Sequence, residues 1–221
     1  MPAVRSTPHA LQPVVDRRTL VVRRYVFALV AVFFLAACDR APTLPKLSPH
    51  DVILAFGDSL THGTGASEET AYPAVLATLS GHTVINAGVP GDTTTTALQR
   101  LPAVLAEYKP RLVLLCLGGN DMLRKLPEAT TENTLRLLVQ TIRSSGAEVV
   151  LIGVPEPKLF GGTPDFYTRI ARDMKLPLED DVFNEVLKDN RLKADPIHAN
   201  AAGYRVVAER LDAFLRKAGA L

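Results

Sequence analysis

Residues 52–65 read VILAFGDSLTHGTG. Five apolar residues, Val52 to Phe56, run without a break and stop at Gly57-Asp58-Ser59. A short apolar run closed by turn residues marks a strand buried on both faces, the kind that builds parallel sheets. Such sheets carry helices on both faces and take ligands beyond the carboxyl ends of their strands. Ser59 therefore has two readings. It is an N-cap in a strand-to-helix turn, or it is a nucleophile held at the mouth of a sheet, where its own N–H is also a free donor at a helix N-terminus. The stretch does not decide between them. It is not a G-x-S-x-G elbow, since Thr61 stands two places after Ser59. Nor is it a phosphate loop: no Gly-Lys-Ser/Thr is present, and Glu68 stands where a third glycine would be needed.

The rest of the chain supplies further strands and the helices between them. Apolar runs recur at 83–87 (TVINA), 112–117 (LVLLCL), 148–154 (EVVLIGV) and, more faintly, 175–179 (KLPLE). Helix-like stretches separate them: YPAVLATL, TTTALQRLPAVLAEY, ATTENTLRLLVQTIRSS, DFYTRIARDM and the terminal ANAAGYRVVAERLDAFLRKA. Leu135, Leu138, Val139 and Ile142 form one apolar stripe, and Val206, Val207, Leu211, Phe214 and Leu215 another. Alternation of strand and helix predicts an α/β fold, a three-layer α/β/α sandwich around a parallel sheet, over residues 51–221. The segments that follow the strands are GDS, GVPGDT, GGND and PEPKLFGG.

The amino-terminal part has a different character. Arg17, Arg18, Arg23 and Arg24 precede an unbroken apolar run from Tyr25 to Ala37, which ends in Leu35-Ala36-Ala37-Cys38. The run is too short to span a bilayer core of about 30 Å comfortably. Its pattern is that of a signal peptide over 1–37. The last four residues resemble a lipobox, which implies cleavage before Cys38 and a lipid on its thiol. Arg17-Arg18 also allows twin-arginine export. The expectation is a periplasm-facing, membrane-anchored lipoprotein, and Asp39 after the cysteine points to the inner membrane. Residues 38–50, with Pro42, Pro45 and Pro49, are expected to be an extended tether. Without residues 1–37, which hold five Arg and one Asp, 20 basic side chains face 22 acidic ones. Such a near-neutral body gives no reason to expect a nucleic-acid partner. Cys116 lies in an apolar run and reads as a core residue.

A nucleophilic serine needs a base. Of five histidines, His9 lies in the leader, His50 in the tether and His82 in a turn. His62 lies three residues past Ser59. His198 lies in ADPIHAN, with Asp195 three residues earlier, close enough in a tight turn to orient the ring. This Asp-x-x-His spacing ranks His198 above His62. Asn120 in LGGND can offer a side-chain amide to a developing oxyanion, and Gly88 in NAGVPGDT a backbone N–H. No His/Cys/carboxylate cluster has metal-ligand spacing, so neither a metal nor a cofactor is expected.

GDSLTHG, NAGVPGDT, GGND and DPIH, in that order, resemble the four blocks of the SGNH (GDSL) hydrolase family. With RLPAVLAEYKPRLVLLCLGGNDMLR, the chain is most similar to its thioesterase I/lysophospholipase/arylesterase branch, from Asp51 to the C-terminus. The resemblance implies a flavodoxin-like sheet and a serine esterase that cleaves small-molecule or lipid acyl esters or thioesters through an acyl-enzyme. It implies Ser59 as nucleophile, His198 as base and Asp195 as its orienter. It also implies an oxyanion hole from Ser59, Gly88 and Asn120. Asp58 belongs to the first block and reads as structural. Pro196 and Ala199 depart from the usual Asp-Gly-x-His-Pro-Asn block, and the loop VPEPKLFGGTPDF differs from the branch's usual one. Two alternatives stay open: a carbohydrate O-deacetylase, and a binding lipoprotein that has lost catalysis.

Overall fold

The computed structural model describes residues 43–158 and 161–221. The segment 1–37 expected to be a signal peptide, with Cys38 and Asp39, lies outside the described residues. Five parallel strands form one sheet: β1 (Val52–Gly57), β2 (Thr83–Gly88), β3 (Leu112–Cys116), β4 (Glu148–Ile152) and β5 (Leu178–Glu179). Their order is β2-β1-β3-β4-β5, the doubly wound arrangement whose switch point falls between β1 and β3. The chain runs out from β1 to one edge, then returns to pass β1 on its other side. The loops after β1 and β3 therefore diverge and leave a crevice.

Burial accounts for the strands. Ile53 to Phe56, Val113 to Cys116 and Val150 to Ile152 have no exposed surface, since helices cover the sheet on both faces. β2 is an edge strand and remains partly exposed. The 175–179 run yields only the two-residue β5. The runs at 112–117 and 148–154 stop pairing at Cys116 and Ile152.

Eight helices pack around this sheet among the described residues: α1 (Ser59–His62), α2 (Tyr72–Ser80), α3 (Thr94–Tyr108), α4 (Gly119–Leu123), α5 (Glu128–Ser144), α6 (Asp165–Met174), α7 (Val182–Lys188) and α8 (Ala201–Ala218). Helix α5 buries the stripe read from its sequence. Helix α8 is rotated from expectation. Tyr204, Val207, Ala208, Leu211 and Leu215 face inward, while Val206 and Phe214 pack only partly against the core. Cys116 is a fully buried free thiol.

The tether expected over 38–50 is not extended throughout. Leu44 and Leu47 are both buried. Their N–H groups donate to the carbonyls of Ala218 and Ala220 at 2.8 Å each. Spaced three residues apart between prolines, these leucines bury apolar surface under the end of α8, so packing against the domain begins at Leu44 rather than Asp51. Replacing both with Ala should cost about 2 kcal/mol for each truncated side chain. Urea unfolding would show this as a lower midpoint. kcat should not change, because the contact lies at the end of the sheet opposite Ser59.

Candidate active site

β1 ends at Gly57, and the next two residues build the turn that carries the Ser59 hydroxyl. Asp58 caps α1 by accepting from the Leu60 N–H at 3.0 Å. This fixes Ser59 as the first helical residue. Its hydroxyl lies 2.9 Å from Nε2 of His198, and Nδ1 of the same ring lies 2.7 Å from Asp195 Oδ2. A neutral imidazole that donates Nδ1–H to the carboxylate leaves Nε2 free to accept the Ser59 O–H. The other oxygen, Asp195 Oδ1, accepts from the N–H groups of Ile197 and His198 at 2.9 Å each. A single carboxylate thus shapes its own turn and orients the ring that closes it. Burial pushes the Asp195 carboxyl up, but the hydrogen bond from His198 and the donation from Ile197 outweigh it and hold the group below its ordinary range.

The loop is locked at its base. Ala194 N–H donates to the His198 carbonyl, and Asn200 N–H to that of Leu192, each at 2.9 Å. Asn200 also caps α8 through Gly203 N–H and donates Nδ2 to the Arg191 carbonyl. Ala199, at the place usually held by proline, is fully buried. It packs over Gly65, where an added Cβ would lie 2.4 Å from the Ala199 carbonyl and φ is +99°. Only glycine serves there. Tyr204 Oη donates to the Thr64 carbonyl at 2.9 Å and ties the same two loops together. His62 is exposed on α1 and forms no side-chain hydrogen bond to Ser59 or Asp195.

Across the crevice, Asn120 is the second residue of α4, a helix that its GGND sequence hides as a turn. Its Nδ2 donates to the Asp92 carbonyl at 3.0 Å and makes a longer 3.4 Å contact to Asp58 Oδ2. The next residue, Asp121, is buried. It accepts from Thr94 N–H and Oγ1 at 2.9 and 2.7 Å, which pins α4 to the start of α3. Asp121 has no place in the sequence reading, and only tertiary contact gives it one.

Gly88 is not where the sequence reading puts it. It is the last residue of β2, its N–H is taken by Asn86 Oδ1 at 3.0 Å, and an added Cβ would lie 2.1 Å from the His62 nitrogen. It is a close-packing glycine beneath α1. Within the same block, the glycine that lines the crevice with Ser59 and Asn120 is Gly91, with φ of +83°. Its N–H, like that of Ser59, has no acceptor among the described residues. Composition carries no signal for this, since only the pairing of Gly88 with Gly57 shows that the strand runs through Gly88.

Burial pushes the Asp58 carboxyl up to about 7, against the Leu60 N–H, which lowers it. The side chain is 1% exposed. The crevice itself has a volume of about 860 Å³ and reaches from Ser59 to Leu123, Val154, Leu187 and Ile197.

A hydroxyl, an imidazole, a carboxylate and amide donors converge at the carboxyl end of a parallel sheet. Together they have the geometry of a serine hydrolase site. Residues 55–206 match the GDSL-like Lipase/Acylhydrolase family, and the chain belongs to that family. It is 36% identical over 167 residues to the Thioesterase 1/protease 1/lysophospholipase L1 of Escherichia coli (strain K12), covering 72% of this chain and 80% of that protein. It is 31% identical over 195 residues to an arylesterase of Vibrio mimicus, covering 83% and 94%. The crystal structure of TesA superposes with a TM-score of 0.69 at 31% identity, over 76% of this chain and 99% of that one. Family and fold make the chain an ester-hydrolysing serine hydrolase.

A carboxyl that titrates near 3.8 in the unfolded chain and about 7 in the folded one makes the folded state bind the extra proton between those values. Its contribution to stability therefore falls as pH rises from about 4 to about 7 and stays low above that. Asp58→Asn keeps an oxygen for Leu60 but cannot titrate. Its melting temperature, measured beside the parent from pH 4 to 8, should gain on the parent as pH rises through that window.

Proposed function

We propose that Ser59, His198 and Asp195 hydrolyse acyl esters and thioesters in two steps, with the oxyanion held by the N–H groups of Ser59 and Gly91 and by Asn120 Nδ2. The observation that carries this reading is the unbroken line Ser59 Oγ–His198–Asp195 at 2.9 and 2.7 Å. Ser59 Oγ attacks the carbonyl carbon and passes its proton to His198 Nε2. Asp195 stabilises the imidazolium through Nδ1–H. The carbonyl π pair moves onto oxygen, which takes the amide donors. The tetrahedral species collapses, and the leaving alcohol or thiol takes the proton from His198. Water, deprotonated by the same nitrogen, then attacks the acyl-serine. The acid departs and Ser59 regains its proton.

Pro155, Pro157, Leu123, Val154, Leu187 and Ile197 give the crevice an apolar wall for the acyl group. The apolar wall supports an acyl esterase over a glycan deacetylase. The relatives named thioesterase and arylesterase support the same substrate range. A panel of acyl esters and thioesters of graded chain length, run beside acetylated oligosaccharides, tests this. Release of acetate from the glycans alone would favour the deacetylase.

His198→Ala should abolish turnover, while His62→Ala should keep most of it; the opposite ranking would unseat His198. Asn120→Ala should lower kcat by about 10²–10³ with little change in KM, because its amide is needed chiefly in the tetrahedral state. Phosphonate labelling of Ser59 should persist in that variant, but slowly.

The proposal includes membrane attachment through a lipid on Cys38. Its support is the order of arginines, apolar run, small residues and cysteine in the leader. Cys38→Ser should shift the protein from the membrane fraction or leave it unprocessed, and an unacylated mature chain from native cells would refute the attachment.

A further inference from the structure

Three oxyanion donors come from three different segments of the chain, so something must hold those segments in register. Arg100, on the inner side of α3, meets two of them at once. Its Nε donates to Asp92 Oδ2 at 2.6 Å, and its Nη2 donates to the Gly57 carbonyl at 3.0 Å. Its guanidinium carbon lies 4.1 Å from the centroid of the Phe56 ring, which fixes the plane of the fork. Both partners are well shielded, with side chains 23% and 10% exposed.

Each contact leads to a donor. Gly57 is two residues before Ser59, on the strand end that delivers its N–H. Asp92 directly follows Gly91. The Asp92 carbonyl accepts from Asn120 Nδ2 at 3.0 Å, which sets the plane of that amide and directs its second hydrogen to the side facing Asp58 and the crevice. Thr96 Oγ1 donates to the free oxygen of Asp92 at 2.8 Å, so the carboxylate cannot swing to follow another partner. We infer that Arg100 is the positioning residue of the oxyanion site, holding the Ser59, Gly91 and Asn120 donors in register through Gly57 and Asp92.

The chemistry favours arginine for this task. Two acceptors on different loops lie within reach of one rigid planar fork, and the charge matches a shielded carboxylate. Lysine would keep the charge but offers a point donor on a flexible stem. A small displacement of groups that act in the transition state costs rate and spares binding.

The inference rests on the serine mechanism proposed above, and the test separates the two. Phosphonate labelling at Ser59 in the parent examines the mechanism alone; an unlabelled parent would overturn both. Arg100→Gln should lower kcat by about 10- to 100-fold with KM changed less than about threefold, and Arg100→Lys should recover part of the loss. In the Arg100→Gln/Asn120→Ala double variant, the loss in kcat should be several-fold smaller than the product of the two single losses, since Asn120 is one of the donors that Arg100 holds. A purely structural Arg100 would instead lower the melting temperature and leave kcat per labelled site near the parent value. That result would overturn the inference, as would losses that multiply in the double variant or a rise in KM at constant kcat. Should Arg100→Gln fail to fold, Arg100→Lys and Asp92→Asn carry the same comparison, with the same pattern expected and the same results against it.

Discussion

The hydrogen bond between Ser59 and His198 joins residues 139 positions apart, and the geometry of the candidate site depends on keeping it near 2.9 Å. Neither residue achieves this by itself. Ser59 is fixed by a strand end and an aspartate cap, while His198 sits in a turn shaped by Asp195. The two loops meet where Gly65 lies against Ala199 and where Tyr204 reaches Thr64. This seam transmits the position of α8 to Ser59. It is built from close backbone approach and one buried phenol, which leaves the charged groups of the site free for chemistry.

Three carboxylates, Asp58, Asp92 and Asp121, are buried within the same small region at the top of the sheet. A buried charge is costly unless it is paired or well hydrogen-bonded. Asp92 has Arg100 and Thr96, and Asp121 has Thr94 through both its N–H and its hydroxyl. Asp58 has one backbone donor at 3.0 Å and the long contact to Asn120. Its carboxyl is pushed up to about 7 as a result. Each of the three buttresses an active-site segment, so a stability cost is placed where geometry matters most.

Much of this was readable in the sequence, for reasons that also explain what was not. Strands buried on both faces appear as apolar runs, so β1, β3 and β4 stood out, and α3 and α6 are matched from end to end. Helices α4 and α7 escaped because they are short. Gly-Asn-Asp reads as a turn until Asp121 finds Thr94, and Val182, Phe183 and Val186 give α7 too few turns for a period to emerge. Ser59, Asp195, His198 and Asn120 could be nominated because each chemistry needs a particular side chain near a strand end. Gly88 was nominated in place of Gly91 because the last residue of a strand cannot be told from the first residue of a loop by composition. The Arg100 contacts to Asp92 and Gly57 had no sequence signal, since the packing of α3 on the sheet alone brings them together.

Leu44 and Leu47 have a consequence for how the enzyme meets its surroundings. They dock beside the end of α8, where Arg216 also reaches the Leu79 carbonyl at the end of α2. That is the floor of the sheet. Ser59 stands on its roof, with the six residues of β1, about 20 Å of strand, between them. The crevice that Ser59 lines opens at the far end of the strands. An ester therefore reaches Ser59 without passing the leucine dock, and the dock can change without reshaping the mouth of the site.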